Sequence, residues 1–237
     1  MSLDKEASSA SVSALPIAPW WHTVLVLLPL MVGSVASAHQ HGLPNAHLPG
    51  LSKKLSGYVT VLVEEWFVLL LIWLALRRSG IALKHLIGGR WNSAGGFFKD
   101  LGLSLAFLVV VTPLIGLLTH FAGVGKNISQ ADITPKTVGE LAMWVALAMT
   151  GGFCEELIFR GYLMRQFRAW TGSVVWAIVI QGILFGFAHG FYGLAMAVVM
   201  VHGCLLGLLA AWRKSLRPGI LAHSFQDLLG GFLAFFS

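Results

Sequence analysis

Apolar residues run along this chain in long stretches separated by short polar connections. A transmembrane helix needs about 20 mostly apolar residues, because the hydrocarbon core is about 30 Å thick and each residue rises about 1.5 Å. Seven stretches meet or approach that length, at approximately 19–35, 58–76, 101–121, 138–168, 172–189, 191–212 and 218–236. Backbone polar groups cannot stay unpaired in lipid, and the Gly-rich runs break the alternation that a membrane barrel requires, so the pattern predicts helices. The expected fold class is all-α, a polytopic integral-membrane helical bundle of seven transmembrane helices or eight segments.

Composition turns that pattern into a statement about solvent. Hydrophobic residues make up 57% of the 237 and charged residues 11%, where soluble domains carry about 25% charged residues. The mean hydropathy of +0.78 agrees. A soluble globular protein is excluded, and the lipid bilayer is the expected partner. Sixteen Lys and Arg against ten Asp and Glu give +6, but the basic residues are scattered between apolar stretches and form no nucleic-acid footprint. They read instead as topology determinants. If the spans alternate, Lys5, Arg77, Arg78, Lys84, Arg90, Lys99, Arg165, Arg168, Arg213, Lys214 and Arg217 fall on one side, and Lys53, Lys54, Lys126 and Lys136 on the other. Because translocated loops are poor in Lys and Arg, the amino terminus is expected on the cytoplasmic side and the carboxyl terminus opposite.

Residues 1–18 read as a short arm, and Ala36-Ser37-Ala38 after the first span has the form of a signal-peptidase site. The preceding Asp4-Lys5-Glu6 is not the basic cluster of a signal peptide, so an uncleaved first helix is expected. Cys154 and Cys204 both lie in apolar segments and imply no disulfide framework.

An ionisable side chain at the bilayer centre costs at least about 2.5–3.5 kcal/mol on insertion scales, which makes each one a functional candidate. Here they are Glu64 and Glu65, Glu155 with Glu156 and Arg160, His189, His202, and His223 with Asp227. Glu156 and Arg160 are four apart and can pair, whereas Glu155 is turned about 100° away and lacks that partner. An unpaired carboxylate inside a bundle is suited to holding water or a proton; the alternative is that both acids serve one structural network. Glu155 precedes the tight turn at Thr171-Gly172 by 16 residues and His189 follows Thr171 by 18, so antiparallel packing brings both to one level about 24–27 Å from the turn. Gly182, Gly186 and Gly190, with Gly203 and Gly207 on the next span, predict close helix packing. His223 and Asp227 share a face at i, i+4. Counted from Leu216 they lie only about 10–17 Å in, so an extended lead-in through Pro218-Gly219 is expected to carry them deeper.

The order Glu155-Glu156-x-x-x-Arg160, Phe185-x-x-x-His189 and His223-x-x-x-Asp227 resembles the CPBP family of intramembrane proteases, which includes the type II CAAX prenyl endopeptidases and bacteriocin-immunity-type relatives. The likeness covers the C-terminal four spans: 138–237 is the protease-like core, and 19–137 holds helices without a recognised motif. The resemblance implies catalytic Glu155, His189, His223 and Asp227, supported by Glu156 and Arg160. Glu155 would be the general base, His189 would orient its water, and His223 would face the carbonyl oxygen where negative charge develops. Relatives often carry Asn at the position of Asp227; an ionised Asp cannot donate to an oxyanion, so Asp227 is either protonated or orients His223. The implied activity is hydrolysis of a peptide bond in a membrane-associated or lipidated, for instance prenylated, peptide or protein.

No metal is required by this reading. If the activity were metal-dependent, Glu155, His189 and His223 would be the zinc ligands, but H-E-x-x-H is absent and zinc would consume the base or the oxyanion donor. A catalytically silent immunity or binding partner is the nearest rival, and a proton-coupled transporter using Glu64, Glu65, Glu155 and Asp227 is a third class. His39, His41 and His47 form a His-rich loop, read as merely polar rather than metal-binding. Glu64 and Glu65 either line a water-filled path to the site or belong to an interfacial pair or a span that begins later. Cys154 has no motif partner for nucleophilic work, Trp20, Trp21, Trp170 and Trp212 read as interfacial anchors, and His202 reads as structural.

Overall fold

A computed structural model describes residues 15–39, 48–123, 133–189 and 193–236. Among these there are helices and no strands. In chain order they are α1 (Trp20–His39), α2 (Lys53–Arg78), α3 (Leu83–Ile87), α4 (Ala94–Phe121), α5 (Val138–Glu155), a π-helical stretch (Glu156–Leu163), α6 (Met164–Thr171), α7 (Val174–Ala188), α8 (Leu194–Arg213) and α9 (Arg217–Phe236). Six helices are long and apolar enough to cross a membrane, with the run Val138–Thr171 counted as one, and α7 is a shorter apolar helix. The chain is thus a multi-pass helical membrane protein. The five-residue α3 is the additional segment and does not span. His41, His47, Lys5, Lys126 and Gly190 lie outside the described residues, and of the His39 side chain nothing is stated.

Helix boundaries follow polar caps rather than the edges of apolar runs. Ser52, Ser93, Thr137 and Ser173 each accept a hydrogen bond from a backbone N–H three residues on, satisfying donors the helix cannot pair. Consequently α2 starts at Lys53 and not at Tyr58, and α4 at Ala94 and not at Leu101. At the turn expected near Thr171, Gly172 ends α6 with a φ of 69°, a left-handed conformation that glycine adopts without strain.

One end of the bundle is tied by polar networks. Gln166 accepts from the backbone N–H of Ile17 at 2.6 Å and donates to the Ala18 carbonyl at 2.8 Å. Asp100 receives Arg213 at 2.8 Å, Arg217 at 3.0 Å and the Trp91 indole at 2.9 Å. The opposite end holds Lys54 against Glu140 at 3.5 Å and Lys136 donating to the Ala234 carbonyl at 3.4 Å. The basic connections thus gather at one end, as the alternation of spans predicts. Between the ends, outward positions such as Val109, Val110 and Leu233 are large, apolar and exposed, as a lipid-facing surface requires.

Candidate active site

The depth of α9 is set by what lies beneath its start. No extended lead-in exists: α9 is helical from Arg217, with Pro218 and Gly219 in its first turn, where a proline's missing N–H has no partner to lose. Instead the turn before it is buried under α3, with the Leu216 N–H donating to the Ile87 carbonyl at 2.9 Å and Ser215 and Leu216 each 4% exposed. Leu216 reaches the level of Gly161, since a methyl group at Gly161 would sit 3.2 Å from the Leu216 side chain. Seven residues up α9 from that point and six residues back along the facing helix are His223 and Glu155. The helices approach closely because Gly152 has no side chain; a Cβ there would strike the backbone of Ser224.

α7 and α8 meet in the same way. A Cβ on Gly203 would lie 3.1 Å from the Gly182 Cα, and one on Gly186 would lie 2.9 Å from the Met196 carbonyl. This is the packing role expected of the small residues, and it sets His189, at the end of α7, opposite Glu155.

The expected site residues converge. Glu155 Oε2 is 3.8 Å from His189 Nε2 and 3.7 Å from His223 Nε2, and Asp227 Oδ2 is also 3.7 Å from His223 Nε2. Glu156, fully buried, lies 2.9 Å from Arg160 and 3.3 Å from His223 Nδ1. Both contacts are off the line of a directed hydrogen bond, so the pairing is mainly one of charge. The two carboxylates do point apart, but they are not as separate as ideal α-geometry suggests: each reaches a different nitrogen of the same imidazole. Glu155 and His189 remain partly exposed, and the Asp227 side chain is 40% exposed, so the cluster is open on that side.

Several neighbours carry parts of the site that their sequence signal understated. Phe185 is a platform: its ring lies 4.1 Å below the Arg160 guanidinium carbon and 4.3 Å from the His189 ring, a cation–π arrangement that helps hold a buried cation. Its carbonyl accepts from His189 Nδ1 at 2.7 Å. Gln181 and Arg160 both donate to the Gly203 carbonyl, at 2.9 and 3.3 Å. The Trp144 indole donates to the Asp227 carbonyl at 2.9 Å. His202 is buried with its ring 5.9 Å from that of His223. Gln181 is four before Phe185 and eight before His189, a helical face that spacing alone makes visible.

From α2, Glu65 is 5% exposed and turns inward toward Glu155, while a Cβ on Gly33 of α1 would lie 2.7 Å from the Glu64 carboxylate. The earlier start of α2 puts both acids about 17 Å along the helix, well inside it. The reading of a later-starting span is therefore corrected for this pair. Cys154 is fully buried.

The fold and this cluster define a class: a polytopic helical membrane protein with carboxylates and imidazoles gathered between its helices. Residues 137–229 match the family model described as Type II CAAX prenyl endopeptidase Rce1-like. That match supports the CPBP/CAAX intramembrane protease family for this chain, as its three motifs imply. It begins beside Val138 and takes in every residue of the cluster from α5 to α9, whereas Glu65 lies outside it. No curated protein and no solved structure gives a match.

Proposed function

We propose that the chain is an intramembrane endopeptidase in which Glu155 activates water for attack on a peptide bond of a membrane-associated or lipidated substrate. The observation that carries this reading is the approach of two imidazole nitrogens, from α7 and α9, to one carboxylate oxygen. Separations of 3.8 and 3.7 Å exceed a direct hydrogen bond, and a water bound to Glu155 would be within reach of both rings. His189 donates through Nδ1 to a carbonyl, so the neutral ring offers Nε2 as an acceptor for one hydrogen of that water. Glu155 accepts the other.

As the water oxygen bonds to the carbonyl carbon, its proton passes to Glu155 and the carbonyl π pair moves onto oxygen. His223 meets only acceptors, Glu156 at Nδ1 and Glu155 and Asp227 at Nε2. Negative charge thus faces both ring nitrogens, which favours the imidazolium form, and Nε2–H is the donor for the developing oxyanion. Glu155 then protonates the leaving amine as the C–N bond breaks. In this scheme Asp227 orients and balances His223 and does not touch the oxyanion.

Among the described residues no three His, Cys, Asp or Glu side chains are spaced to hold a metal ion. Each step above draws on side chains alone. Glu64, Glu155 and Asp227 all lie near enough to Glu65 for their charges to act on it, a cluster rather than the chain of separated acids that a relay across the bilayer needs.

The test is cleavage of a peptide panel that includes farnesylated members by purified, detergent-solubilised protein, with Glu155→Gln in parallel. The wild type is expected to cleave and to keep its activity in excess chelator, while the variant loses about 10²–10⁴-fold in kcat/KM. Equal activity of the variant overturns the assignment of Glu155, and zinc-reversible loss in chelator overturns the metal-free route. A folded wild type that cleaves nothing favours the silent binding partner.

A further inference from the structure

Glu65 stands on a helix that contributes nothing to the three motifs, yet its carboxyl is within hydrogen-bonding reach of Glu155. The approach is made over Gly151: a Cβ there would lie 3.5 Å from Glu65 Oε1 and 3.9 Å from Glu155 Oε1. Glu65 Oε2 and Glu155 Oε2 are both buried, and no described residue gives either one a hydrogen bond. The charged groups acting on Glu65 are all acidic: Glu64 on its own helix, Glu155 from α5 and Asp227 from α9, with the Cys154 thiol also facing it. Two ionised carboxylates in such a place are acceptors only and repel each other; one proton turns the repulsion into a hydrogen bond.

We propose that Glu65 is a positioning residue that keeps a proton and donates it as a hydrogen bond to Glu155, fixing the catalytic carboxylate in the orientation that faces the two imidazoles. This rests on the reading of Glu155 as general base. The proton on Glu65 is not consumed. During attack the water's proton goes to the other side of the Glu155 carboxylate, and on collapse it passes to the amine, so Glu65 ends each turnover as it began. The donor also holds Glu155 against rotation into the acidic surroundings, where it would turn its reactive oxygen away from His189 and His223.

An amide can replace a protonated carboxyl as donor, so Glu65→Gln and Glu65→Ala separate this role from simple packing. Glu65→Gln is expected to keep kcat within about threefold near neutral pH and to hold it to higher pH than the wild type, which loses the donor when Glu65 ionises. Glu65→Ala is expected to lose about 10²-fold in kcat with KM within about twofold. Glu64→Gln serves as the neighbouring control and is expected to behave as wild type. Superimposable pH profiles for wild type and Glu65→Gln overturn the proposal, as does a Glu65→Ala variant with wild-type kcat.

A second readout needs no substrate and separates failure of this inference from failure of the protease reading. The infrared carbonyl stretch of a protonated carboxylic acid is expected in the wild-type protein, shifted in Glu155→Gln and missing its Glu65 contribution in Glu65→Gln. Identical wild-type and Glu65→Gln spectra, with both proteins folded, overturn the proposal whatever the activity.

Discussion

Arg160 is a cation almost wholly removed from water, and its surroundings show how that is tolerated. Glu156 supplies the opposite charge at 2.9 Å, the Gly203 carbonyl an acceptor, and the Phe185 ring the negative face of its quadrupole. Such an arrangement is fragile in one direction: removing a single partner leaves the other charge buried alone, at a cost of about 3–5 kcal/mol. Arg160→Met is therefore expected to lower the thermal midpoint in detergent strongly. An unchanged midpoint would mean that the pair contributes no net stability. At this scale the sequence was a good guide where charge was involved. The pairing of Glu156 with Arg160 and the meeting of His223 with Asp227 follow from i, i+4 spacing, but Phe185 and Gln181 act through ring faces and a shared carbonyl, which spacing does not reveal.

At the level of helices, the relation of α5 to α9 decides whether the site exists. Gly152 passes the backbone of Ser224, the residue next to His223. Gly152→Val is expected to push α9 outward, lower the thermal midpoint and reduce kcat by about 10²-fold, since ångström-scale misplacement is that costly. Gly116→Ala, where a Cβ meets nothing within 4 Å, is expected to leave activity unchanged and stability equal or higher by about 0.5–1 kcal/mol. Equal behaviour of the two variants, measured by unfolding and turnover, would remove the packing argument. Helix number and order were legible because lipid demands long apolar runs. The starts of α2 and α4 were not, since Ser52 and Ser93 cap them outside those runs. Nor was the depth of α9, which depends on α3 packing from a distant part of the chain.

For the molecule as a whole, the two ends differ in chemistry. Asp100 with Arg213 and Arg217, Gln166 with the Ile17–Ala18 backbone, and the cover formed by α3 lie at one end; Lys54 with Glu140 and Lys136 with Ala234 mark the other. The surplus of Lys and Arg at the first end predicts that it faces the cytoplasm. In a Cys154→Ala, Cys204→Ala background, a cysteine placed at Arg90 is expected to react with an impermeant thiol reagent only after cells are opened, and one at Lys136 in intact cells whose outer surface is accessible to it. The reverse pattern would invert the topology. Lysine and arginine counts revealed the asymmetry, while the role of Glu65 was hidden because α2 carries no motif and its partner lies 90 residues along the chain.

The π-helical stretch Glu156–Leu163 also bears on how this chain is compared with its kin. A hydrogen-bond ladder reaching five residues back in place of four accommodates additional chain within a continuous helix. A relative that keeps α-geometry through this stretch would need a shorter sequence there to present both Glu155 and Arg165 in the same directions. The appropriate alignment gap would then fall inside 156–163, within a hydrophobic helix and not in a loop. Placing it anywhere upstream would shift Glu155 onto a residue that faces a different way.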